Sequence, residues 1–402
     1  MSEVKRPAAI VIQAAVDWNF LKQRPHHLAE EFTRLGLPVL FIENTGTRVP
    51  ALRDLGRLLG RLKRVTVGQR SADRSDTAVE ILSPFVFPFP FLRFVSEYNR
   101  RYLMRQIRKF VRRHGLTPRE VAMITYMATP LSAAVTLNTP WFATVYDVVS
   151  DPKHIEPHVM DSENRLLHEA DLVLFASETL RQAYGERGCR FVTFRDGFSV
   201  DLLKHVQDLP ALVRDMPSPR FLYLGGLNKK VWSEALVELA DSFPDASIIL
   251  MGPISSGEFH PPRRANVHIL PPVREYHHLA GFLNAADVAL IPYAADPFVL
   301  PMSPAKVNEY LVFGLPIVST STPELMHLAA EVGPKTIYLA ESASDFPAMA
   351  REALRENTGE RRQSRLEFAS RRTWTGQTRA LLAMLSASQR LRQTTYAERT
   401  LS

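Results

Sequence analysis

The sequence predicts two doubly wound α/β domains, each a parallel sheet with helices on both faces. Three observations support this fold class. Short apolar runs alternate with helix-period segments, as in βαβ units. The pattern lapses near residues 207–219 (QDLPALVRDMPSP), where three prolines leave no clear period, and then restarts. The 402 residues also exceed what one hydrophobic core usually supports.

The first half contains the elements of one such domain. It opens on a buried-strand run at residues 8–16, followed by a helix at 25–35 in which Leu28, Phe32 and Leu35 share one face. The apolar runs that follow predict strands at 38–43, 121–127, 141–149, 172–177 and 191–194, with helices at 131–137, 162–170 and 178–186.

The second half repeats the alternation. Strands are predicted at 221–224, 247–251, 267–270, 288–292, 316–319 and 336–339, with helices at 233–243, 277–285 and 303–313. We therefore expect a first domain at 1–206, a linker at 207–219, a second domain at 220–371, and a C-terminal helix and tail at 372–402 that pack back toward the first domain.

Composition excludes several classes of protein. The one cysteine, Cys189, excludes an intramolecular disulfide and any cysteine-based zinc cluster. Asp17 and Asn19 end the N-terminal apolar run too early for a signal peptide, and no run approaches the ~20 apolar residues of a membrane span. The histidine pairs lack the spacing of metal ligands on a helix. We expect a cytoplasmic protein without a metal or cofactor.

The positive charge is concentrated in one segment. Residues 48–113 hold 16 Lys and Arg against 5 Asp and Glu, whereas the whole chain carries +7. An apolar stretch containing Phe89 and Phe91 precedes a basic amphipathic helix that includes Arg105, Arg108 and Arg112. Such a segment suits an anionic membrane surface, which predicts peripheral attachment to the inner face of the plasma membrane. The alternative is a core-facing helix with an arginine-rich solvent side. Nucleic acid is not an expected partner, because no nucleic-acid-binding module accompanies the patch.

The segment 303–310 (SPAKVNEY) is the most informative about chemistry. Ser303 suits an N-cap and Pro304 the first helical position, so Lys306 falls in the first turn, where a cation opposes the helix dipole. A bound phosphate would remove that conflict. Glu309, one turn further on the same face, could accept hydrogen bonds from ribose hydroxyls. The pattern thus predicts a nucleoside-diphosphate site; the alternative is a solvated Lys–Glu pair.

Other nucleotide-binding classes lack their motifs. No G-x-G-x-x-G follows the first strand, and G-x-x-x-x-G-K-[ST] is absent from the sequence. A dinucleotide-binding domain and a P-loop nucleotidase are therefore not expected.

Several short motifs, taken in order, resemble the donor-binding core of GT-B-fold glycosyltransferases of the family-4 type. They are VALIPY at 288–293, PAKVNEY at 304–310 and FGLPIV at 313–318, preceded by FLYLGG at 221–226 and NVHILPPV at 266–273. In the first half, RPHHL at 24–28, YDVVSD at 146–151, ADLVLFAS at 170–177 and DG at 196–197 extend the similarity. It covers roughly residues 8–330.

The resemblance implies two Rossmann-like domains facing across a cleft, with a nucleotide-sugar donor bound by the second. It implies that Glu309 holds the ribose, Lys306 the diphosphate, and the backbone amides of Gly225 and Gly226 the same phosphates. Its further donor-binding positions are Val273 and Arg274 near the base, with Tyr293, Ser303 and Ala305. The helix and Lys306 would take the place of a divalent ion, so activity should survive EDTA.

One departure from the family concerns stereochemistry. Pro301 stands where many relatives carry a second glutamate, which brings the sequence closer to inverting glucuronosyltransferases of bacterial exopolysaccharide synthesis. Inversion needs a general base for the acceptor hydroxyl. Asp151 is the first candidate and Asp147 the second, and a turn or helix-capping aspartate is the alternative for either. Arg24, His26 and His27 are candidate acceptor or cleft residues, with a capped surface histidine as the alternative.

The expected function is transfer of a sugar to a glycan or polyprenyl-diphosphate-linked acceptor, and the resemblance implies a UDP-linked donor. The membrane segment would place this reaction at the cytoplasmic surface, in bacterial polysaccharide or cell-envelope glycan synthesis. Another GT-B enzyme, such as a sugar-nucleotide epimerase, and a non-catalytic scaffold on the same fold are the alternatives.

Overall fold

The chain folds into two compact units. In the computed structural model, the first comprises Met1–Phe175, Gly185–Phe194 and Thr378–Ser402, and the second comprises Ala176–Tyr184 and Arg195–Gln377. The structure describes residues 6–45, 79–87, 93–150, 157–185, 190–204, 209–255, 259–273, 278–294 and 302–401. The statements below concern those residues.

The first unit is built on a seven-stranded sheet in which every neighbouring pair is parallel, in the order β3-β2-β1-β4-β5-β6-β7. Its strands are β1 (Ala9–Gln13), β2 (Val39–Ile42), β3 (Glu80–Leu82), β4 (Val121–Thr125), β5 (Ala143–Val148), β6 (Leu172–Phe175) and β7 (Phe191–Thr193). The helices up to β7 are α1 (Arg24–Arg34), α2 (Arg93–Arg113), α3 (Pro130–Leu137), α4 (Pro157–Glu169) and α5 (Glu178–Ala183).

The second unit has a six-stranded parallel sheet in the order β10-β9-β8-β11-β12-β13. Its strands are β8 (Arg220–Leu224), β9 (Ser247–Met251), β10 (Val267–Leu270), β11 (Val288–Ile291), β12 (Ile317–Thr320) and β13 (Ile337–Ala340). The remaining helices are α6 (Asp201–Lys204), α7 (Ala211–Arg214), α8 (Ser233–Ser242), α9 (Leu279–Ala285), α10 (Lys306–Val312), α11 (Pro323–Val332), α12 (Phe346–Arg355), α13 (Gly359–Ser370) and α14 (Trp374–Leu401).

Both sheets confirm the predicted doubly wound α/β fold. In each, the strand order reverses once, between β1 and β4 and between β8 and β11. The central strands are buried throughout, as in β1 and β9, because helices cover both faces. Ligands of such sheets bind beyond the carboxyl ends of the strands where the order reverses.

Two segments differ from the sequence-based expectation. β3 was not predicted, because its three half-buried residues lack the apolar run of a central strand. The segment 207–219, predicted as a linker, contains the short helix α7. Val213 of that helix is fully buried in the core of the second unit. None of the described helices combines the length and apolar character needed to cross a membrane.

Candidate functional site

The strands β8 and β11 separate where the order of the second sheet reverses. Their pairing covers only Phe221 with Val288 and Leu222 with Ala289. Beyond it, the hydroxyl of Tyr310 accepts a hydrogen bond from the Leu224 backbone N–H at 2.9 Å and lies 3.4 Å from the Leu290 carbonyl oxygen, to which it donates. The Tyr310 side chain, which belongs to α10, thus joins two strands at a point where their backbones are no longer hydrogen-bonded to each other.

A glycine turn follows β8 at this point. Gly225 has a φ of +148°, and a Cβ there would overlap the ammonium group of Lys306. Its N–H donates to the Met251 carbonyl at 2.9 Å, and the Leu227 N–H donates to the Pro253 carbonyl at 2.9 Å. Among the described residues, the Gly226 N–H has no acceptor. Of the two amides that the resemblance assigned to phosphate, Gly226 is therefore the one with its N–H available.

Lys306 occupies the space that the glycine leaves. Its Nζ lies 4.7 Å from the ring centroid of Tyr223 and 5.8 Å from that of Tyr293. Burial lowers the pKa of Lys306 to about 8, while the nearby Glu309 carboxylate opposes that effect and Lys230 adds to it. The site therefore holds an ammonium group that an anion would stabilise.

Lys230 is a site residue that the sequence analysis missed. Its positive charge lies close enough to Lys306 to lower the pKa of that residue. The loop is held beside β11 by three backbone contacts: the Lys230 carbonyl accepts the Ala294 N–H at 2.8 Å, Val231 pairs with Tyr293, and Trp232 donates to Pro292. In the sequence, Lys229 and Lys230 look like two solvated surface lysines. Only the pairing of this loop with the segment after β11 shows that Lys230, and not Lys229, lies near Lys306.

The helix α10 begins later than predicted. It spans Lys306–Val312, and its N-cap is Ala305, which makes no side-chain capping hydrogen bond. The prediction that Ser303 caps a helix from 303 was wrong. The carbonyls of Pro304 and Ala305 accept the N–H groups of residues three positions on, so a tighter turn precedes the α-helix.

The other residues predicted to bind the donor differ in how far they are exposed. Glu309 lies one turn after Lys306 and is partly exposed, Ser303 is half-buried and Ala305 is exposed. Val273 packs against the core of the second unit, and Arg274 lies outside the described residues. The structure thus brings together Gly225, Gly226, Tyr293, Lys306 and Glu309, with Lys230 in addition.

In the first unit, Asp147 is paired with Arg24. Both side chains are buried, with 0% and 5% exposed, and the guanidinium donates to both carboxylate oxygens at 2.7 and 3.1 Å. The guanidinium also lies 4.8 Å from the ring centroid of Phe194. Because the guanidinium engages both carboxylate oxygens, the geometry favours a structural role for Asp147.

His26 and His27 are buried in α1. The Nδ1 of His26 accepts the Gln23 N–H at 3.1 Å, and its Nε2 lies 3.2 Å from the Asp17 carbonyl, to which the neutral ring donates. Burial lowers the pKa of His26, which favours that neutral form. His26 therefore acts as a helix cap, although it is buried and not on the surface as the capping alternative supposed.

The remaining predicted residues lie on α2 or outside the described ranges. Arg105, Arg108 and Arg112 are exposed on α2. Asp151, Phe89 and Phe91 lie outside the described residues. Within the described part of the chain, no group of three or more His, Cys, Asp or Glu is placed to hold a metal ion.

Solved glycosyltransferases share this fold. HepE of Anabaena, solved with UDP and glucose, matches with a TM-score of 0.68 and 12% identity over 94% of this chain and 100% of its own. A glycosyltransferase of Rickettsia africae matches with a TM-score of 0.63 and 13% identity over 94% and 98%. WaaG, a glycosyltransferase involved in lipopolysaccharide biosynthesis, matches with a TM-score of 0.58 and 12% identity over 94% and 99%.

No protein-family model matches the sequence, and no curated protein matches it. The structural similarities confirm the predicted fold class, two Rossmann-like units of the GT-B type.

Proposed function

We propose that this protein is a glycosyltransferase that moves a sugar from a nucleoside-diphosphate sugar, with UDP as the carrier, to a glycan or lipid-linked acceptor. The observation that carries the proposal is the convergence of Lys306, Lys230 and the Gly225–Gly226 turn where β8 and β11 separate. Two cations and an available amide suit a diphosphate. HepE, which shares the fold, was solved with UDP-glucose.

The chemistry assigned to the two lysines is stabilisation of the leaving group. As the bond from the anomeric carbon to the diphosphate oxygen breaks, negative charge grows on the diphosphate. Lys306 and Lys230 offset this charge without rearranging, because Lys306 is already held against two rings. Glu309, one turn away on α10, is proposed to accept hydrogen bonds from the ribose hydroxyls.

The acceptor oxygen forms the new bond to the anomeric carbon and must lose its proton to a base. We propose Asp151 for this role. The engagement of both Asp147 oxygens by Arg24 supports this choice over Asp147. Asp151→Asn is expected to abolish turnover while donor binding is retained. Retained turnover would move the base to another residue.

We also propose that α2 attaches the protein to an anionic membrane surface, where the acceptor is anchored. Its buried face includes Leu103, Ile107 and Phe110, and its outer face carries Arg105, Arg108 and Arg112. Among the described residues, these three arginines have no acidic partner. Phe94 and Tyr98, 73% and 54% exposed, extend the same outer face toward the helix start. Cations beside exposed aromatic rings suit a lipid headgroup layer.

The test is calorimetric and thermal-shift binding of UDP, GDP, ADP, their sugars and NAD, with and without EDTA. We expect stabilisation by UDP that EDTA does not change. Ligand at a hundred times its dissociation constant stabilises a fold by about 2.7 kcal/mol. Lys230→Ala should weaken binding, whereas Lys229→Ala, which removes an exposed neighbour, should not.

The outcomes distinguish the alternatives. No stabilisation by any nucleotide would favour a non-catalytic protein on this fold. UDP-sugar binding followed by conversion of the sugar without any acceptor would favour an epimerase. Binding only in the presence of a divalent ion would contradict the metal-free site.

A further inference from the structure

We propose that Tyr223 and Tyr293 are positioning residues whose rings hold the Lys306 ammonium beside the Gly225–Gly226 turn, and thereby set the affinity of the site for a diphosphate. This inference rests on the proposed function, since it assigns how that same site is prepared for its ligand. Neither tyrosine needs to touch the ligand in this role.

The geometry confines the ammonium group by two rings and a backbone. Its Nζ lies 4.7 Å from the Tyr223 ring centroid and 5.8 Å from that of Tyr293, both within the range of cation–π attraction. Gly225 completes the space, because a Cβ at that position would overlap the same nitrogen. Two separate segments of the second unit, one at the end of β8 and one after β11, therefore converge on the Lys306 ammonium.

The Tyr223 side chain and the Tyr293 backbone are each held by hydrogen bonds within the second unit. Tyr223, 2% exposed, lies in β8, and its hydroxyl donates to the Gly226 carbonyl at 3.1 Å. Tyr293, 7% exposed, donates its backbone N–H to the Thr320 hydroxyl at 3.1 Å and pairs with Val231. Both tyrosines are therefore buried and held by contacts that do not involve a ligand.

This arrangement reduces the ordering that binding would otherwise require. A lysine side chain has four rotatable bonds and loses much of its freedom when it holds a ligand. Here that freedom is restricted beforehand. Burial also raises the pKa of both phenols, so the rings stay neutral and present their negative faces to the cation. The charged groups that act on Lys306 are Glu309 on α10 and Lys230 in the loop after β8.

Substitution by phenylalanine should have different effects at the two tyrosines. Tyr223 also orients the glycine turn through its hydroxyl, so Tyr223→Phe removes a contact of the turn. For Tyr293 the assigned contribution is the ring face, which Tyr293→Phe keeps and Tyr293→Leu replaces with an aliphatic side chain. Tyr293 is therefore the sharper test.

The experiment is calorimetric titration of UDP into the wild type, Tyr293→Phe, Tyr293→Leu, Lys306→Ala and the Lys306→Ala/Tyr293→Leu double variant. Loss of a cation–π contact should weaken binding roughly 3- to 30-fold in Tyr293→Leu, with Tyr293→Phe near the wild type. On the Lys306→Ala background, Tyr293→Leu should add no loss. An equal loss on both backgrounds would overturn the proposal.

A second measurement uses the protein without a ligand. The pKa of Lys306, followed by NMR of its labelled Cε, should fall by roughly 0.5 to 1.5 in Tyr293→Leu and stay unchanged in Tyr293→Phe. An unchanged pKa in the leucine variant would overturn the proposal even if UDP binds. Failure of the wild type to bind UDP, with the pKa responding as expected, would overturn the function and leave the positioning role standing. Tyr293→Met replaces Tyr293→Leu if the latter does not fold.

Discussion

Lys306 is a half-buried cation whose charge depends on pH near neutrality. Its pKa of about 8 lies below the usual lysine value because burial disfavours the ammonium form. In the proposed function the charged form binds the diphosphate, so we expect the affinity to be full below that pKa and to be lost as pH rises through it. We expect UDP-sugar binding to weaken roughly tenfold between pH 7 and pH 9, measured by calorimetry.

Lys306→Arg is the control, because a guanidinium stays charged throughout this range. Its binding should be independent of pH, even if it is weaker at pH 7. Lys306→Ala should lose roughly 10- to 150-fold in UDP affinity but little for uridine. A wild-type affinity that is flat to pH 9, or equal losses for UDP and uridine, would contradict the role of the ammonium.

We expect the ion pair of Arg24 and Asp147 to contribute to the stability of the fold. Both groups are buried and joined by two hydrogen bonds. Asp147→Asn removes a buried carboxylate charge that accepts two hydrogen bonds from Arg24, which we expect to lower the free energy of unfolding by about 3–5 kcal/mol in urea denaturation. Removing both charges with Arg24→Met and Asp147→Leu should recover much of that loss.

The matched comparison is the exposed pair Arg165 and Glu169, each 48% exposed. Glu169→Gln should cost no more than about 0.5 kcal/mol. If Asp147→Asn keeps full stability but abolishes turnover, Asp147 is the base after all.

For single residues, the sequence was informative where a residue type and its near neighbours in the chain together indicate a chemical role. Lys306 and Glu309 were singled out by their spacing on one helix, and Gly225 by the resemblance to GT-B enzymes; their roles stay predictions. The contact of Arg24 with Asp147 joins residues 123 positions apart, which no local pattern records. Lys230 was missed for the same reason, because its place depends on the pairing of Val231 with Tyr293, 62 positions further along the chain.

Among the elements, α10 has a structural task besides carrying Lys306. Where β8 and β11 separate, the Tyr310 hydroxyl hydrogen-bonds to both strands in place of the backbone hydrogen bonds between them. Tyr310→Phe leaves the buried Leu224 N–H without its acceptor, at a cost of about 1–3 kcal/mol. We expect faster hydrogen exchange at the Leu224 amide together with weaker UDP binding.

Tyr338→Phe is the control for Tyr310→Phe. The Tyr338 hydroxyl donates to Glu356 at 3.3 Å, a carboxylate that water can solvate instead. This variant should leave both the exchange of Leu224 and UDP binding unchanged. Normal exchange at Leu224 in Tyr310→Phe would show that the hydroxyl does not hold the strands.

The outer face of α2 permits a test of membrane attachment. Reversing Arg105, Arg108 and Arg112 to glutamate should reduce partitioning onto vesicles rich in phosphatidylserine more than about 100-fold, since each cation near an anionic surface contributes roughly 1 kcal/mol. Sedimentation of the protein with the vesicles measures the effect.

A variant of equal net charge controls for the long-range field. Arg263, Arg355 and Arg371 are exposed in the second unit, and their reversal changes the charge by the same amount. This control should lose much less binding. Equal losses in both variants would mean that net charge, and not the face of α2, governs attachment.

The prediction of elements succeeded where apolar runs were long and well bounded. All six strands of the second sheet were expected, because each is an apolar run between turn residues. β3 was missed because its residues are only half-buried. The start of α10 was misplaced because Ser303 and Pro304 fit the pattern of a helix start, but the chain makes a tighter turn first.

For the whole molecule, donor binding should protect one unit from exchange. The groups proposed to bind the diphosphate all lie within Arg195–Gln377 of the second unit. Hydrogen exchange with and without UDP should therefore slow mainly at residues 225–231 and 306–312. The amides of β1 and β5 serve as the internal control. Protection confined to the first unit would place the nucleotide elsewhere.

The fold class followed from the alternation of strand and helix patterns, whereas the strand order did not. Placing β1 beside β4, and β8 beside β11, depends on contacts between distant segments. General rules for right-handed crossovers narrow the possibilities but do not select one order. The division into units could not be predicted from the sequence either, since α5 lies between strands of the first unit in the chain but belongs to the second unit.

That division determines the order in which a ribosome could complete the two units. The second unit needs α5, because the Thr179 N–H and hydroxyl both donate to the buried Glu324 at 3.0 Å. The first unit, although begun earlier, includes the residues from Thr378 onward, which are translated after all of the second. The unit that starts first therefore receives its last residues only after the second unit has been translated in full.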